Sequence, residues 1–201
     1  MAKLIAISGG SGSGKTFLAH AIKENLREEA TILSFDNYYR DQSHLSFVER
    51  AAINYDDPVQ LDAELFLSHV NKLSAGEMVN VPQYDFATHV RKKVTRPVKS
   101  SPWIICEGIM VLTLPKNTFD YSIYVDADDD IRLLRRIIRD VITRGRTIES
   151  VGKQYLESVK PMHKKYVEPC REIADFIYIN NHNNGIDRVQ LKKLIDELFV
   201  L

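Results

Sequence analysis

A glycine-rich segment near the start of the chain has the residue types and spacing of a phosphate-binding loop. Its members are Gly9, Gly10, Ser11, Gly12, Ser13, Gly14, Lys15 and Thr16. The glycines allow backbone N–H groups to point at a polyphosphate, and the helix that follows adds the positive end of its dipole. Lys15 is placed to reach the β- and γ-phosphates and Thr16 to bind Mg²⁺. A chance glycine-rich turn rarely ends in Gly-Lys-Thr, so the spacing predicts a Walker A loop that binds ATP or GTP.

Two acidic residues follow apolar runs that we interpret as strands. Asp36 comes after residues 31–35, and Glu107 ends residues 103–107. In a doubly wound sheet, ligands bind beyond the carboxyl ends of the strands, so both carboxylates are expected near the phosphates. Glu107 is then a candidate for holding Mg²⁺ together with Thr16, and Asp36 a candidate for accepting a proton from a hydroxyl. The alternatives are a helix cap or turn at Asp36 and a cap at Glu107.

The remaining motifs narrow the class of P-loop protein. No Asp-x-x-Gly occurs, and Asn71-Lys72-Leu73-Ser74 lacks the final acid of a guanine-reading motif. Glu107 is followed by Gly108, whereas ATPases that activate water usually carry a second acid there. These patterns favour a kinase that phosphorylates a small alcohol over a GTPase or a mechanochemical ATPase.

Basic residues are concentrated in one predicted helix and the turn after it. Arginines fall at i, i+3, i+4 and i+7 along a single stripe, and two more flank Gly145. The six are Arg132, Arg135, Arg136, Arg139, Arg144 and Arg146. Guanidinium groups bind phosphate oxygens in a bidentate manner, so we interpret residues 139–152 as a closing lid and Arg139 and Arg144 as groups that stabilise the transferring phosphoryl. A solvated face with local pairs such as Arg136 with Asp140 is the alternative for part of the stripe.

The elements that must position these residues alternate between apolar runs and helical patterns, which predicts parallel strands with helical crossovers. Strands are predicted at 4–8, 31–35, 103–107, 122–126 and 176–180, and helices at 16–28, 62–74, 129–143, 148–160 and 185–198. Residues 79–99 alternate in short bursts around Pro82 and Pro97, which indicates an antiparallel hairpin beside the sheet. The expected fold is a single α/β domain over 1–201 of the P-loop NTPase type, with helices on both faces, an appended β-hairpin and a helical lid.

Bulk composition excludes several other classes. The 201 residues are 44% apolar, and 27 basic residues balance 27 acidic ones, so no overall field attracts nucleic acid or an anionic membrane. Two cysteines without CxxC spacing predict neither a zinc site nor a disulfide. No apolar run is long enough to cross a bilayer and no targeting peptide is recognisable, so we expect a cytoplasmic protein.

Taken together, the motifs resemble those of the uridine kinase (uridine–cytidine kinase) family over most of the chain. The matching segments besides the Walker loop are Asp36-Asn37-Tyr38-Tyr39, Asn54-Tyr55-Asp56-Asp57-Pro58, Tyr84-Asp85-Phe86-Ala87-Thr88-His89, Cys106-Glu107-Gly108-Ile109, Arg135-Arg136-Ile137-Ile138-Arg139-Asp140, Arg144-Gly145-Arg146 and Gln154-Tyr155. The resemblance implies phosphoryl transfer from ATP or GTP with Mg²⁺ to uridine or cytidine. It also implies a homotetramer.

The resemblance assigns further roles residue by residue. Asp36 is implied as the base on the ribose 5′-hydroxyl, with Tyr39 and Tyr55 beside the nucleoside and Asp56 on the ribose hydroxyls. Tyr84 and His89 would face the pyrimidine edge and Phe86 would stack on the ring. Arg136 would contact substrate, Arg139, Arg144 and Arg146 would approach phosphates or ribose, and Gln154 would close the site. The alternatives are core aromatics at 55, 84 and 86, a turn former at Asp56, and surface positions for His89 and Gln154.

The sequence departs from the family pattern at two places. Asn37-Tyr38 replaces a common Ser-Phe, and Asn180-Asn181-His182-Asn183-Asn184-Gly185 replaces a common Pro-Arg-Gly-Gly, which leaves the choice between ATP and GTP open. Two other functions remain at this point. One is a related kinase of another alcohol such as a sugar phosphate or pantothenate, for which Arg91-Lys92-Lys93 is the candidate second basic site, and the other is a non-catalytic nucleotide sensor.

Overall fold

The computed structural model describes residues 1–182 and 186–200. Its strands are β1 (Lys3–Ser8), β2 (Ala30–Ser34), β3 (Val79–Val81), β4 (Tyr84–Asp85), β5 (Val90–Arg91), β6 (Arg96–Val98), β7 (Trp103–Glu107), β8 (Tyr121–Asp126) and β9 (Phe176–Ile179). Its α-helices are α1 (Lys15–Asn25), α2 (Phe47–Ala51), α3 (Ala63–Ser74), α4 (Asp129–Arg144), α5 (Ile148–Gln154), α6 (Lys160–Met162) and α7 (Arg188–Leu198).

Five parallel strands form the central sheet in the order β2-β7-β1-β8-β9. Alternate residues of β1 belong to different apolar clusters: Leu4 and Ala6 pack with α3 on one face, and Ile5 and Ile7 pack with α1 and α7 on the other. Burial on both faces explains why these strands are continuously apolar in sequence. The predicted α/β architecture with helices on both faces is confirmed, and each predicted strand lies within one residue of the observed one.

The register of the sheet sets the position of the site. Glu107 pairs with Ile7 of β1 and with Ser34 of β2, so three strands end at the same level. The chain segments that leave these three ends are the glycine loop, the turn containing Asp36 and the segment after Glu107. The topology therefore brings the predicted chemical groups to one edge.

The appended hairpin is confirmed, as two small antiparallel pairs outside the central sheet. β3 pairs with β6 and β4 pairs with β5. The end of α3 was also predicted: Gly76 has φ +90°, and its N–H and that of Glu77 donate to Leu73 and Lys72 in a Schellman arrangement. The short helix α2, capped by Ser46 and Glu49, was not predicted.

The segment after α4 differs from the prediction of one helix over 148–160. It stays helical through α5, a π turn at Tyr155–Val159, α6, a second π turn at His163–Val167 and a 3₁₀ turn at Glu168–Ile173. Pro161 cannot donate an N–H, and an ordinary α-helix tends to break there. Here wider turns flank the proline, with Lys160 N–H donating to Tyr155 O and Glu168 N–H to His163 O.

The C-terminal helix α7 begins at Arg188 behind an Asp187 cap. The predicted start at Gly185 lies outside the described residues. Among the described residues, no helix combines the length and apolarity needed to span a membrane. The thiols of Cys106 and Cys170 are both free and buried.

Candidate active site

A cavity of about 110 Å³ lies at the carboxyl ends of the strands. The predicted site residues that line it are Ser11, Lys15, Thr16, Asp36, Tyr39, Tyr55, Asp56, Tyr84, Phe86, His89, Glu107, Arg136, Arg139, Arg144, Arg146 and Gln154. Ile109 lines it as well and was not predicted. The five other members of the glycine loop form the turn between β1 and α1 that holds Ser11, Lys15 and Thr16 in place. The structure thus brings together residues from seven separate stretches of sequence.

The glycine loop closes on itself around the ammonium group of Lys15. Lys15 Nζ donates to Gly10 O at 3.1 Å, and Ser13 N donates to the same carbonyl at 3.1 Å. Gly14, with φ +98°, forms the N-cap of α1. Burial lowers the pKa of Lys15, and the nearby carboxylates of Asp36 and Glu107 oppose that shift. The glycine loop therefore forms a preorganised phosphate-binding site, called the cradle below, with the ammonium group of Lys15 beneath it.

Asn180 supports this loop from the end of the last strand and was not predicted to do so. Its Nδ2 donates to Ser13 O at 2.7 Å. A Cβ at Gly14 would lie only 2.3 Å from that amide nitrogen, so a glycine is needed here for the contact. A single amide at the end of a predicted strand carries no sequence signal for such a contact.

Arg132 and His163 pack on the outside of the loop and were not predicted as site residues. A Cβ on Gly10 would meet Arg132 Nη1 at 2.2 Å and His163 Cε1 at 3.0 Å. His163 Nε2 lies 3.3 Å from Arg132 Nη2 and must accept, since an arginine only donates, so the proton is on Nδ1. Burial and Arg132 lower the pKa of His163 to about 4. The arginine stripe was the signal for Arg132, and nothing in sequence pointed to His163.

The two predicted acids converge beside Thr16. Thr16 Oγ1 donates to Glu107 Oε2 at 3.1 Å. Burial and the neighbouring Asp36 raise the pKa of Glu107. Asp36 lies in the 3₁₀ turn Phe35–Tyr38, where Ser34 occupies the N-cap position, so Asp36 does not cap the turn. Its Oδ1 is buried and has no hydrogen-bond partner among the described residues.

This donor set fits Mg²⁺. A hydroxyl and two carboxylates are hard oxygen ligands, and an unpartnered buried carboxylate oxygen is available to a cation or a donor. Within residues 1–182 and 186–200, no group of three or more His, Cys, Asp or Glu side chains is arranged to hold a metal. Mg²⁺ typically takes one or two protein ligands and completes its shell with phosphates and water. Thr16 and Glu107 are the residues that would hold it.

Aromatic side chains form the other half of the cavity. Tyr39 lies 5.6 Å from Tyr55 and 4.9 Å from Tyr84 between ring centroids, and Tyr84 lies 5.2 Å from Phe86. The ring of His89 stacks on Tyr55 at 4.7 Å with a 10° interplanar angle. These aromatics pack on the core and also line the cavity. The Tyr55 and Tyr84 hydroxyls are buried without a hydrogen bond of normal geometry among the described residues.

Asp56 faces this cavity because its neighbour Asp57, and not Asp56 itself, caps the turn that follows. Asp57 is the N-cap of the 3₁₀ turn Pro58–Gln60, and its Oδ1 accepts from Val59 N at 3.0 Å. Asp56 Oδ2 accepts from Ser158 Oγ at 3.4 Å. Burial raises the pKa of Asp56, and the Arg136 guanidinium opposes that shift. The turn-former alternative therefore applies to Asp57, and Asp56 remains available to a ligand.

The arginines of α4 and the following turn enter the cavity from above. Arg136 Nη1 donates to Ser11 Oγ at 2.8 Å, and Arg139 Nη2 reaches the same oxygen at 3.4 Å. Arg144 lies over the ring of Phe86, 4.6 Å from its centroid. Arg132 and Arg136 are buried, so the solvated-face alternative fails for these two.

A chain of three polar side chains joins the arginine turn to the hairpin. Arg146 donates to Gln154 Oε1, and its Nη2 lies 3.1 Å from His89 Nε2. His89 has φ +55°, a left-handed conformation that costs energy in a non-glycine residue. Burial and the arginines Arg146 and Arg144 lower the pKa of His89 to about 4. The imidazole is therefore neutral and offers hydrogen bonds without a charge.

Arg91, the hairpin residue considered for a second anion site, is used structurally. Its Nε donates to Tyr39 O at 2.7 Å and its Nη2 to Tyr38 O at 2.8 Å, while Nη1 pairs with Asp62 at 3.3 Å. Lys93, on the same hairpin, is exposed. This hairpin does not present a basic pocket for an anionic acceptor.

Comparisons with known proteins agree with this geometry. Residues 4–186 match the model of the phosphoribulokinase / uridine kinase family. A uridine kinase of Clostridium novyi is 47% identical over 91% of this chain and 89% of its own length. A uridine kinase of Lactococcus lactis subsp. cremoris is 42% identical over 94% of each chain. The solved structure of phosphoribulokinase from Rhodobacter spheroides superposes with a TM-score of 0.65 at 14% identity, covering 89% of this chain and 70% of that one, which is a likeness of fold.

Proposed function

Because the chain belongs to the phosphoribulokinase / uridine kinase family, we propose that it transfers the γ-phosphoryl group of ATP or GTP, with Mg²⁺, to the 5′-hydroxyl of uridine and cytidine. The products are the nucleoside 5′-monophosphate and ADP or GDP, a salvage reaction. One observation supports this proposal most strongly. The Asp36 carboxylate, whose buried Oδ1 has no hydrogen-bond partner within residues 1–182 and 186–200, lines the same cavity as Lys15 of the phosphate cradle and the aromatic rings of the hairpin.

In this proposal each half of the cavity binds one substrate. The glycine loop and Lys15 bind the β- and γ-phosphates of the donor, where backbone N–H groups and the start of α1 favour negative charge. Thr16 and Glu107 would hold Mg²⁺, which would supply positive charge against the phosphates of the donor. The buried carboxylate Oδ1 of Asp36 accepts the proton of the 5′-hydroxyl, and Arg139 and Arg144 stabilise the charge of the transferring group.

The aromatic half accounts for a preference for pyrimidines. Tyr39, Tyr55 and Phe86 provide flat apolar surfaces for the nucleoside. The Tyr84 hydroxyl and the neutral His89 imidazole can bind the polar edge of the base, which costs free energy if it is buried without partners. Asp56 accepts hydrogen bonds from the ribose hydroxyls, Arg136 and Arg146 contact the substrate, and Gln154 closes the pocket.

The alternative acceptors receive less support. A phosphorylated sugar needs cations at the acceptor end, and Arg91 is already bound to two carbonyls and Asp62. The aromatic half is instead suited to an uncharged ring. A sensor function would leave the unpartnered Asp36 carboxylate without a purpose.

An acceptor panel tests the proposal. Release of ADP or GDP is measured with uridine, cytidine, a purine nucleoside, a sugar phosphate and pantothenate, each with ATP and with GTP. The expected result is nucleotide release that depends on uridine or cytidine and yields the 5′-monophosphate. Release that depends on a different alcohol, or no acceptor-dependent release with either donor, would refute it. Both donors are tested because the segment 180–185 leaves the choice between ATP and GTP open, and residues 183–185 lie outside the described residues.

A further inference from the structure

We propose that Asp140, which does not line the cavity, is the positioning residue whose carboxylate holds the pocket arginines Arg136, Arg139 and Arg144 in their reactive arrangement. The inference rests on the proposed phosphoryl transfer. Asp140 lies in the last turn of α4, and its side chain is completely buried. It has no access to a substrate, so its effect on the reaction is exerted through the arginines that contact it.

All four pocket arginines contact this one residue. The Oδ1 atom accepts from Arg139 Nε at 2.8 Å and from Arg144 Nη1 at 3.2 Å. Arg136 Nε lies 3.7 Å from Oδ2. The main-chain oxygen of Asp140 accepts from Arg146 N at 3.2 Å and from the N–H of Gly145. Side chain and backbone therefore fix the helix end and the turn at the same time.

Electrostatics explains why a carboxylate is needed at this point. Burial and Arg139 lower the pKa of Arg144 to about 10, which shows that the guanidinium groups repel each other in this half-buried cluster. Burial alone would raise the pKa of Asp140, but Arg139, Arg144 and Arg136 outweigh it and the pKa lies below its ordinary value. The ionised carboxylate thus offsets part of the repulsion among cations that must converge on phosphates.

The geometry also divides the arginine donors between two partners. Arg136 and Arg139 use terminal nitrogens on Ser11 of the glycine loop and direct their Nε atoms at Asp140. Arg144 uses one terminal nitrogen on Asp140, and its guanidinium lies over Phe86. With one side of each guanidinium held against Asp140, all three arginines line the cavity. Preorganised donors of this kind stabilise developing charge without a reorganisation cost at the moment of reaction.

The experiment compares Asp140→Asn with Asp130→Asn, which removes the same charge from an exposed position in the first turn of α4. We expect Asp140→Asn to lower kcat about 10- to 100-fold with the KM for uridine within about threefold of wild type, as for loss of charge stabilisation in the transition state. Asp140→Glu, which keeps the charge, should recover part of kcat. Asp130→Asn should match wild type.

A double-mutant cycle separates positioning from a general structural effect. If Asp140 acts through Arg144, the Asp140→Asn change costs much less kcat in an Arg144→Ala background than in wild type. Equal losses in both backgrounds, or an Asp140→Asn kcat within about twofold of the Asp130→Asn kcat, would overturn the inference. If Asp140→Asn does not fold, Asp140→Glu decides: a kcat equal to wild type overturns it, and a reduced kcat at unchanged uridine KM supports it. A wild-type protein that shows no uridine-dependent ADP release contradicts the proposed function instead.

Discussion

Asp36→Asn is expected to change activity and stability in opposite directions. The amide has nearly the same shape as the carboxylate but cannot accept the proton of a hydroxyl as a base. General-base catalysis by a positioned side chain typically contributes about 10²- to 10⁴-fold, so kcat should fall by that factor. Donor nucleotide binding should be retained, since Lys15 and the glycine loop are unchanged.

The stability effect follows from the surroundings of the carboxylate. Asp36 Oδ1 is buried with no hydrogen-bond partner in the part of the chain that the structure describes, and the charge of Asp36 also raises the pKa of the buried Glu107. Leaving one buried polar group unsatisfied costs about 1–3 kcal/mol, and Asn removes the repulsion between Asp36 and Glu107, while the loss of the attraction between Asp36 and Lys15 offsets part of that gain. We expect a gain at the low end, about 1 kcal/mol, which corresponds to a rise in Tm of roughly 2–4 °C for a chain of this size.

The assay compares wild type, Asp36→Asn and an Asp41→Asn control by steady-state kinetics and by thermal unfolding of the ligand-free proteins. Asp41 is an exposed aspartate in the segment after Asp36, and its replacement should change neither kcat nor Tm. Turnover of Asp36→Asn within tenfold of wild type would refute the role of Asp36 as base. A Tm below that of wild type would refute the electrostatic account of the site.

Three further outcomes follow from the structure. His89→Ala removes the ring stacked on Tyr55 and the partner of Arg146. It should raise the KM for uridine about tenfold while the KM for ATP is unchanged, and an unchanged uridine KM would remove His89 from the pocket. Because the folded pKa of His163 is about 4 and its unfolded value about 6.5, the unfolded state binds more protons in that window. Tm should therefore fall as pH drops from 6.5 to 4, and His163→Gln should flatten that slope; an equal slope in the variant contradicts the assignment. Arg91→Ala, which leaves two carbonyls and a carboxylate without their partner, should cost about 1–3 kcal/mol in a denaturant titration, against no change for the exposed Lys93→Ala.

The central sheet could be predicted because each of its strands is a short apolar run buried on both faces. The end of α3 was predictable as well, because Gly76 is a glycine, the residue that most often ends a helix in the left-handed conformation. Helix α2 was missed because none of its residues is buried, so it lacks the apolar periodicity that predicts helices.

The residues of the candidate site were found from sequence, but their supports were not. Phosphate and metal binding constrain where Asp36, Glu107 and the glycine loop can lie in the sequence, so motifs reveal them. The supporting residues Asn180, Arg132 and His163 act instead through contacts between segments that are far apart in the chain. The pairing of Arg136 with Asp140 was considered as a surface pair at i and i+4. Only the fold shows that this carboxylate is buried and shared with further arginines.

The two π turns on either side of α6 have a consequence for changes in chain length. Each π turn spans one residue more than an α-helical turn spans. Deleting a single residue from Tyr155–Val159 would restore a regular α-helical turn and leave the following positions in nearly the same direction about the axis, because the wider turn accommodates the extra residue. His163 would therefore stay against Gly10. Alignments of related chains should therefore tolerate a one-residue gap inside Tyr155–Val159, whereas a one-residue gap within α5 would turn His163 away from the loop by about 100°.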